Sequence, residues 1–201
     1  MKLGTLGPAG SNHDWVAARY LAFHGLTDDA TVVVFPDFDL AFGALLAKEI
    51  DFVLQVAVHP SVTKTVAHYR ERAHLVDTFL SPSPPMAVLT RRDVPVPTTL
   101  GLVTATQDYV DTSRWQTLVP ASSTVAVGEG LLKGRYDSGI TLSRFASDYP
   151  ERLRVDETIG TVVDPWLVYA REAVCTDALV AWHDAPVRSL YASIVEPGKT
   201  P

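Results

Sequence analysis

Leu3-Gly4-Thr5-Leu6-Gly7-Pro8-Ala9-Gly10-Ser11-Asn12 reads as a short apolar strand that enters a glycine-proline turn and passes directly into an amphipathic helix. Gly7 and Gly10 allow a tight backbone that a Cβ would obstruct. Ser11 and Asn12 are good N-cap residue types, so the free amides of the next helical turn, with the positive end of its dipole, face whatever lies above the loop. The segment predicts a strand-loop-helix unit of an α/β fold and, at its tip, a cradle for a carboxylate or phosphate.

Outward from this segment, Lys2 to Leu6, Thr31 to Phe35 and Phe52 to Val56 read as strands, each followed by a helix. Val16, Tyr20 and Phe23 keep helical spacing after the first strand. Phe38, Phe42, Leu45 and Leu46 do so after the second, behind a Pro36-Asp37 cap, and Val62, Val66 and Tyr69 mark one face of a third helix. This order predicts stacked βαβ units with a mostly parallel sheet. Ser81-Pro82-Ser83-Pro84-Pro85, with three prolines in four residues, breaks the pattern, and Pro95 and Pro97 punctuate it again. Prolines there stiffen a crossing rather than build a core. A second α/β run follows, with strands at Leu100 to Val103, Gln116 to Val119 and Ser138 to Leu142. Its helices span Ser123 to Lys133 and the stretch carrying Leu142, Phe145, Ala146 and Tyr149. The strand Thr161 to Ala170 and the helical stretch Asp177 to Trp182 are expected to return to the first lobe. Residues 1–81 and 160–201 are thus assigned to lobe 1 and residues 82–159 to an inserted lobe 2, with a hinge and a ligand cleft between them. Glu196 to Pro201 are expected to be loose.

A 201-residue chain that is 47% hydrophobic can bury a real core. Its 17 basic and 23 acidic residues, a formal charge of -6, argue against a nucleic-acid partner. Cys175 is the only cysteine, which excludes an internal disulfide, and no C-x-x-C or H-E-x-x-H spacing points to a metal. The apolar stretch after Met1 is too short for a signal peptide or a membrane span, so a soluble, cytoplasmic protein is expected.

The opening Thr5-Leu6-Gly7-Pro8-Ala9-Gly10-Ser11 resembles the LGPxG[ST] entry of prephenate dehydratases and of their non-aromatising relatives, the prephenate decarboxylases of the bacilysin type. The order of elements agrees over roughly residues 2–172. Ser122-Ser123-Thr124 before a helix and the strand Val162 to Val168 belong to the match. The resemblance implies a two-lobed fold like a type II periplasmic binding protein, with prephenate in the cleft, no cofactor, and a homodimer. Dehydratases carry Thr-Arg-Phe where this chain reads Asp164-Pro165-Trp166, and their Pro-x-Glu-Asn-Ser segment is replaced by Gln55-Val56-Ala57-Val58-His59-Pro60. The threonine is associated with loss of the ring hydroxyl and the arginine with the anionic site. Bacilysin-type decarboxylases also lack Thr-Arg-Phe, and they have a tryptophan near the place of Trp166 and a Pro-Met pair like Pro85-Met86. Decarboxylation without aromatisation keeps the hydroxyl and protonates a ring carbon, so it does not need that threonine. The chain ends about 30 residues after the match, so the ACT module often fused to dehydratases is not expected.

The candidate site residues each have a plain structural alternative. Ser11, Asn12 and His13 begin the first helix and are read as ligand contacts, or simply as a cap. His13, a neutral imidazole at a helix N-terminus, is in addition a candidate for proton transfer. Ser122, Ser123 and Thr124 are read as the opposing cradle for a small dicarboxylate, or as ordinary capping; Thr104 and Thr106 are weaker candidates of the same kind. Asp164 is the candidate acid, because a desolvated carboxyl holds its proton toward neutral pH. The alternative is a turn residue before Pro165. Trp166 is read as a wall against the substrate ring or as core. His59, past the third strand, lies where open α/β sheets bind ligands, and Gln55 would face the cleft or need a buried partner. Arg91 and Arg92 could replace the missing arginine or lie in solvent. A lyase that decarboxylates prephenate or a close analogue leads, ahead of a diverged dehydratase and of a catalytically idle carboxylate-binding module.

Overall fold

The computed structural model describes residues 1–174 and Val187; Cys175, the stretch Asp177 to Trp182 and the tail Glu196 to Pro201 lie outside them. The first three βα units are β1 (Lys2–Leu6), α1 (Asn12–Phe23), β2 (Thr31–Phe35), α2 (Phe38–Leu46), β3 (Phe52–Val56) and α3 (Val62–Tyr69). They are followed by β4 (His74–Pro82). The chain then forms β5 (Met86–Arg91), β6 (Thr99–Leu102), β7 (Thr117–Pro120), α4 (Thr124–Leu132), β8 (Ser138–Leu142), α5 (Arg144–Asp148), β9 (Leu153–Gly160) and β10 (Val163–Ala170).

Two five-stranded sheets result, in the orders β2-β1-β3-β10-β4 and β7-β6-β8-β5-β9. β1 pairs in parallel with β2 and β3, and β6 with β7 and β8. One strand in each sheet runs against the rest: β10 is antiparallel to β3 and β4, and β5 to β8 and β9. These two are the strands that have just crossed from the other sheet. Between the sheets the crossings stay paired, with Ser83 N donating to Val162 O at 2.7 Å and Val162 N to Ser83 Oγ at 3.1 Å. β4-β5 and β9-β10 therefore form one antiparallel ribbon through both sheets.

Each sheet is covered on both faces. In the first, Val16, Ala17 and Leu21 of α1 pack with Leu54, Trp166 and Val168, while Phe42 and Leu45 of α2 pack with Val53, Tyr69 and Tyr169 on the other side. In the second, Val127 and Leu131 of α4 meet Leu89, Tyr136 and Phe145, and Trp115 closes the opposite face over Val88, Leu100 and Ile140. Burying each large apolar side chain contributes roughly 1.5–3 kcal/mol.

Three helix faces differ from the sequence reading; in the last, Leu142 belongs to β8 and Tyr149 lies exposed past the end of α5. Phe23 is exposed, and α1 buries Ala17 and Leu21 instead; in α3 the residues turned inward are Thr65 and Tyr69, with Val66 outside. Thr65 is drawn in by a buried hydrogen bond from Gln55. β4 and β9 had no strand signal because Asp77-Thr78 and Asp156-Glu157-Thr158 interrupt them, and β9 buries Leu153 alone. Among the described residues, no helix is long and apolar enough to cross a membrane.

Candidate active site

β1 leaves its sheet at Leu6, and the loop that follows is held by Gly7 N donating to Phe35 O at 2.8 Å. Gly10 adopts φ 74, a left-handed conformation in which a side chain would be strained. The Asp14 carboxylate accepts from Gly10 N at 2.7 Å, and the Ser11 hydroxyl accepts from Asp14 N at 3.4 Å. With Asp14 N engaged by the cap and Trp15 N bonded to Ser11 O, the amides of Asn12 and His13 are the helix donors left without an intrahelical acceptor. α4 repeats the device: Ser123 Oγ accepts from Ala126 N at 3.0 Å, and Val127 N donates to Ser123 O. Thr141 Oγ1 anchors this second start by donating to Thr124 O at 2.5 Å.

A cavity of about 250 Å³ lies between the two helix starts. Ser11, Asn12, His13, His59 and Asp164 line it from the first sheet, and Ser122, Ser123 and Thr124 from the second. Thr104, Thr106 and Tyr109, on a short 3-10 segment, complete the second wall, and Val56, Met86, Val103 and Leu142 make it largely apolar. Arg144, at the start of α5, reaches across to Gly10 O at 3.5 Å. Gln55 and Trp166 do not line the cavity; both are wholly buried behind it. Trp166 meets the His13 ring edge-on at 5.1 Å between centroids, so its place is a backing for His13 rather than a wall for a ligand. Gln55 finds its partners in Ser61 and Thr65.

Burial dominates the electrostatics. The His13 pKa falls to about 3 through burial and then the neighbouring His59 ring, and its Nε2 has no partner. His13 is therefore neutral at pH 7. Burial also lowers the pKa of His59. Asp164 is 8% exposed; burial raises its pKa, opposed by a hydrogen bond from the Asn12 side chain. The Tyr109 phenol is pushed up by burial and then by the Asp164 charge. Tyr109 escaped sequence reading because a 3-10 turn has no apolar period to mark it. None of the described residues lining the cavity is Lys or Arg, so an anion there would be met by helix amides and neutral donors.

A second hollow, about 390 Å³, lies at the far end of the second sheet and contains Arg91, Arg92, Lys133 and Arg152. Although larger, it lacks converging free donors. Arg91 is engaged by Asp93, Arg92 by Pro150 O, Lys133 by Glu129 and Arg152 by Leu132 O. Arg91 and Arg92 therefore do not substitute for the arginine missing from the strand at Asp164. Among the described residues no group of His, Cys, Asp and Glu is placed to hold a metal ion.

Two α/β lobes joined by paired crossings around a ligand-sized cleft define the two-lobed, periplasmic-binding-protein-like class. Within it, the chain is similar to a prephenate dehydratase from Arthrobacter aurescens solved in complex with L-Phe, at 20% identity and TM-score 0.63 over 97% of this chain and 72% of that one. It is also similar to GqqA, described as a quorum-quenching acylase, at 10% identity and TM-score 0.58 over 89% of this chain and 66% of that one. The periplasmic VFT2 domain of BvgS from Bordetella pertussis matches at 14% identity and TM-score 0.53, over 85% of this chain and 80% of that one. Similarity at these identities establishes the fold. No family model matches the chain, and no curated protein matches it in sequence.

Proposed function

We propose that the cleft binds prephenate or a close dicarboxylate analogue and catalyses its decarboxylation without aromatisation. The observation that carries this reading is the cavity itself: two helix N-termini face each other across an apolar space that also holds a carboxyl, Asp164, biased toward its protonated form. The amides of Asn12 and His13 at one end and the first turn of α4 at the other suit two carboxylates, each worth about 1 kcal/mol from the dipole in addition to its hydrogen bonds. The apolar wall suits the ring. In the reaction the bond from the ring to the carboxylate breaks, CO2 leaves, and the electron pair spreads over the ring as a pentadienyl carbanion. One proton is then taken up at a ring carbon while the hydroxyl stays. Asp164 supplies that proton in this reading, and His13, neutral at pH 7, orients the ligand or relays the proton. The protein's task is to bind, orient and exclude competing chemistry, and no cofactor is called for. The homodimer and the cytoplasmic location implied by the family resemblance belong to the same proposal.

The biased carboxyl favours a second reading as well, because an acid that protonates a ring carbon could instead protonate a departing hydroxyl. Incubation with prephenate separates the two. A non-aromatic product with CO2 release supports the decarboxylase, and phenylpyruvate supports a diverged dehydratase. Saturable binding with no turnover would leave a carboxylate-binding module and overturn both.

A further inference from the structure

We infer that Ser61 and Gln55 are positioning residues that hold His59 as an Nε2–H hydrogen-bond donor facing the cleft, presented to an oxygen of the bound ligand. The tautomer follows from counting donors. The backbone N–H of Ser61 can only donate, and it lies 3.1 Å from His59 Nδ1. That nitrogen must carry a lone pair. Ser61 Oγ lies 2.7 Å from the same nitrogen, so its single proton must also point there. With that proton engaged, the Ser61 oxygen can only accept from its other neighbour, Gln55, whose Nε2 donates at 2.9 Å and also reaches Thr65 Oγ1 at 3.3 Å. The orientation of the buried Gln55 amide is thereby fixed, and its Oε1 is the atom left without a partner. In a neutral ring whose Nδ1 accepts twice, the proton sits on Nε2.

Three further features support the assignment. His59 lines the cavity, and its ring is held between Phe38, 5.0 Å away edge-on, and His13, 6.2 Å away. Among the described residues no carboxylate lies within ion-pair distance of His59, and the titratable ring packed against it is His13. Burial also disfavours the charged form of His59, which keeps the ring neutral. A neutral donor of this kind polarises a carbonyl or carboxylate oxygen without supplying a proton. Its place in the cleft divides the work between His59, which orients, and Asp164, which delivers. The oxygen it meets is assigned on the functional reading above; the tautomer is not.

Full-length protein with 15N-labelled histidine, studied at neutral pH by long-range 1H–15N correlation, tests the tautomer without ligand. His59 should show an unprotonated Nδ1 and a protonated Nε2. An Nδ1–H tautomer or a cation overturns the inference. Ser61→Ala keeps the backbone N–H, so the Nε2–H tautomer should persist, but loss of the hydroxyl should broaden the ring signals and weaken prephenate binding roughly tenfold, the effect of losing one hydrogen bond to a charged ligand. Ser61→Thr should restore both. In wild type, adding prephenate should move the His59 Nε2 signal. Prephenate that binds without moving that signal, or binds equally to Ser61→Ala, overturns the role given to His59. A wild-type protein that does not bind prephenate overturns the functional reading and the acceptor with it, while the ligand-free spectrum still decides the tautomer.

Discussion

His13 makes the folded protein sensitive to mild acid, and the size of the effect follows from its surroundings. Its ring is enclosed by Phe38, His59 and Trp166, and its pKa drops from 6.5 to about 3 through burial and the His59 ring. In the unfolded chain the same imidazole titrates at about 6.5. Between these two values the unfolded state binds a proton that the folded state refuses. Stability therefore falls as pH falls, by about 1.4 kcal/mol for each pH unit, and the contribution is flat above about 6.5. From there to pH 5 is about 1.5 units, or about 2 kcal/mol from one side chain, against a typical total of ~5–15 kcal/mol. Urea unfolding at pH 7 and pH 5, for wild type and His13→Gln, measures it. Taking the difference between the two proteins removes the other titrating groups. Wild type should lose about 2 kcal/mol more than the variant over this interval. Equal losses would refute the assignment of a buried, neutral His13, and with it the view that this ring meets the ligand uncharged.

Asp164 has the opposite slope: its raised pKa means the folded chain keeps a proton longer, so its contribution to stability declines as pH rises above 3.8. Asp164→Asn should accordingly unfold at higher urea than wild type at pH 7 while losing prephenate turnover, and a variant that is weaker yet fully active contradicts both statements. Ser123→Ala removes the acceptor for Ala126 N and should cost about 1 kcal/mol in urea unfolding, with weaker prephenate binding read by calorimetry. Gly128→Ala should destabilise despite alanine's better helix propensity, worth about 1 kcal/mol, because the new methyl runs into the Phe145 ring and overpacking costs roughly 1–3 kcal/mol. A raised melting temperature for that variant would show that Phe145 can move aside.

Legibility in the sequence tracked how locally each element is signalled. β1, β2, β3 and β8 were readable to the residue because each is a short stretch carrying aliphatic, aromatic or β-branched residues between turn signals, whether at the sheet edge, as β2 is, or inside it. The starts of α1 and α4 were legible from Ser11 and Ser123, whose cap bonds are local in the chain. β4 and β9 were silent because polar residues interrupt them, Asp77-Thr78 in one and Asp156-Glu157-Thr158 in the other. Phe23 and Val66 misled because hydrophobicity alone does not say which face a neighbouring sheet will cover. Within the site, the residues next to helix caps were found, whereas the bond chain from Gln55 through Ser61 to His59 was not. It joins β3 to the residues just before α3, and it depends on which atoms carry protons, a property of three-dimensional contact.

The paired crossings constrain how this protein can change. Val163 opposes Pro82 and Met86 opposes Gly160, so an insertion or deletion in either connector alone would offset one lobe's ladder against the other's. A slip of one residue turns every side chain of a strand over. Asp164 would then exchange sides with its neighbours and leave the cavity facing Val163 or Pro165. The paired connectors are thus the ruler that sets the Asp164 carboxyl at the cavity, and any tolerated length change must be matched in both at once.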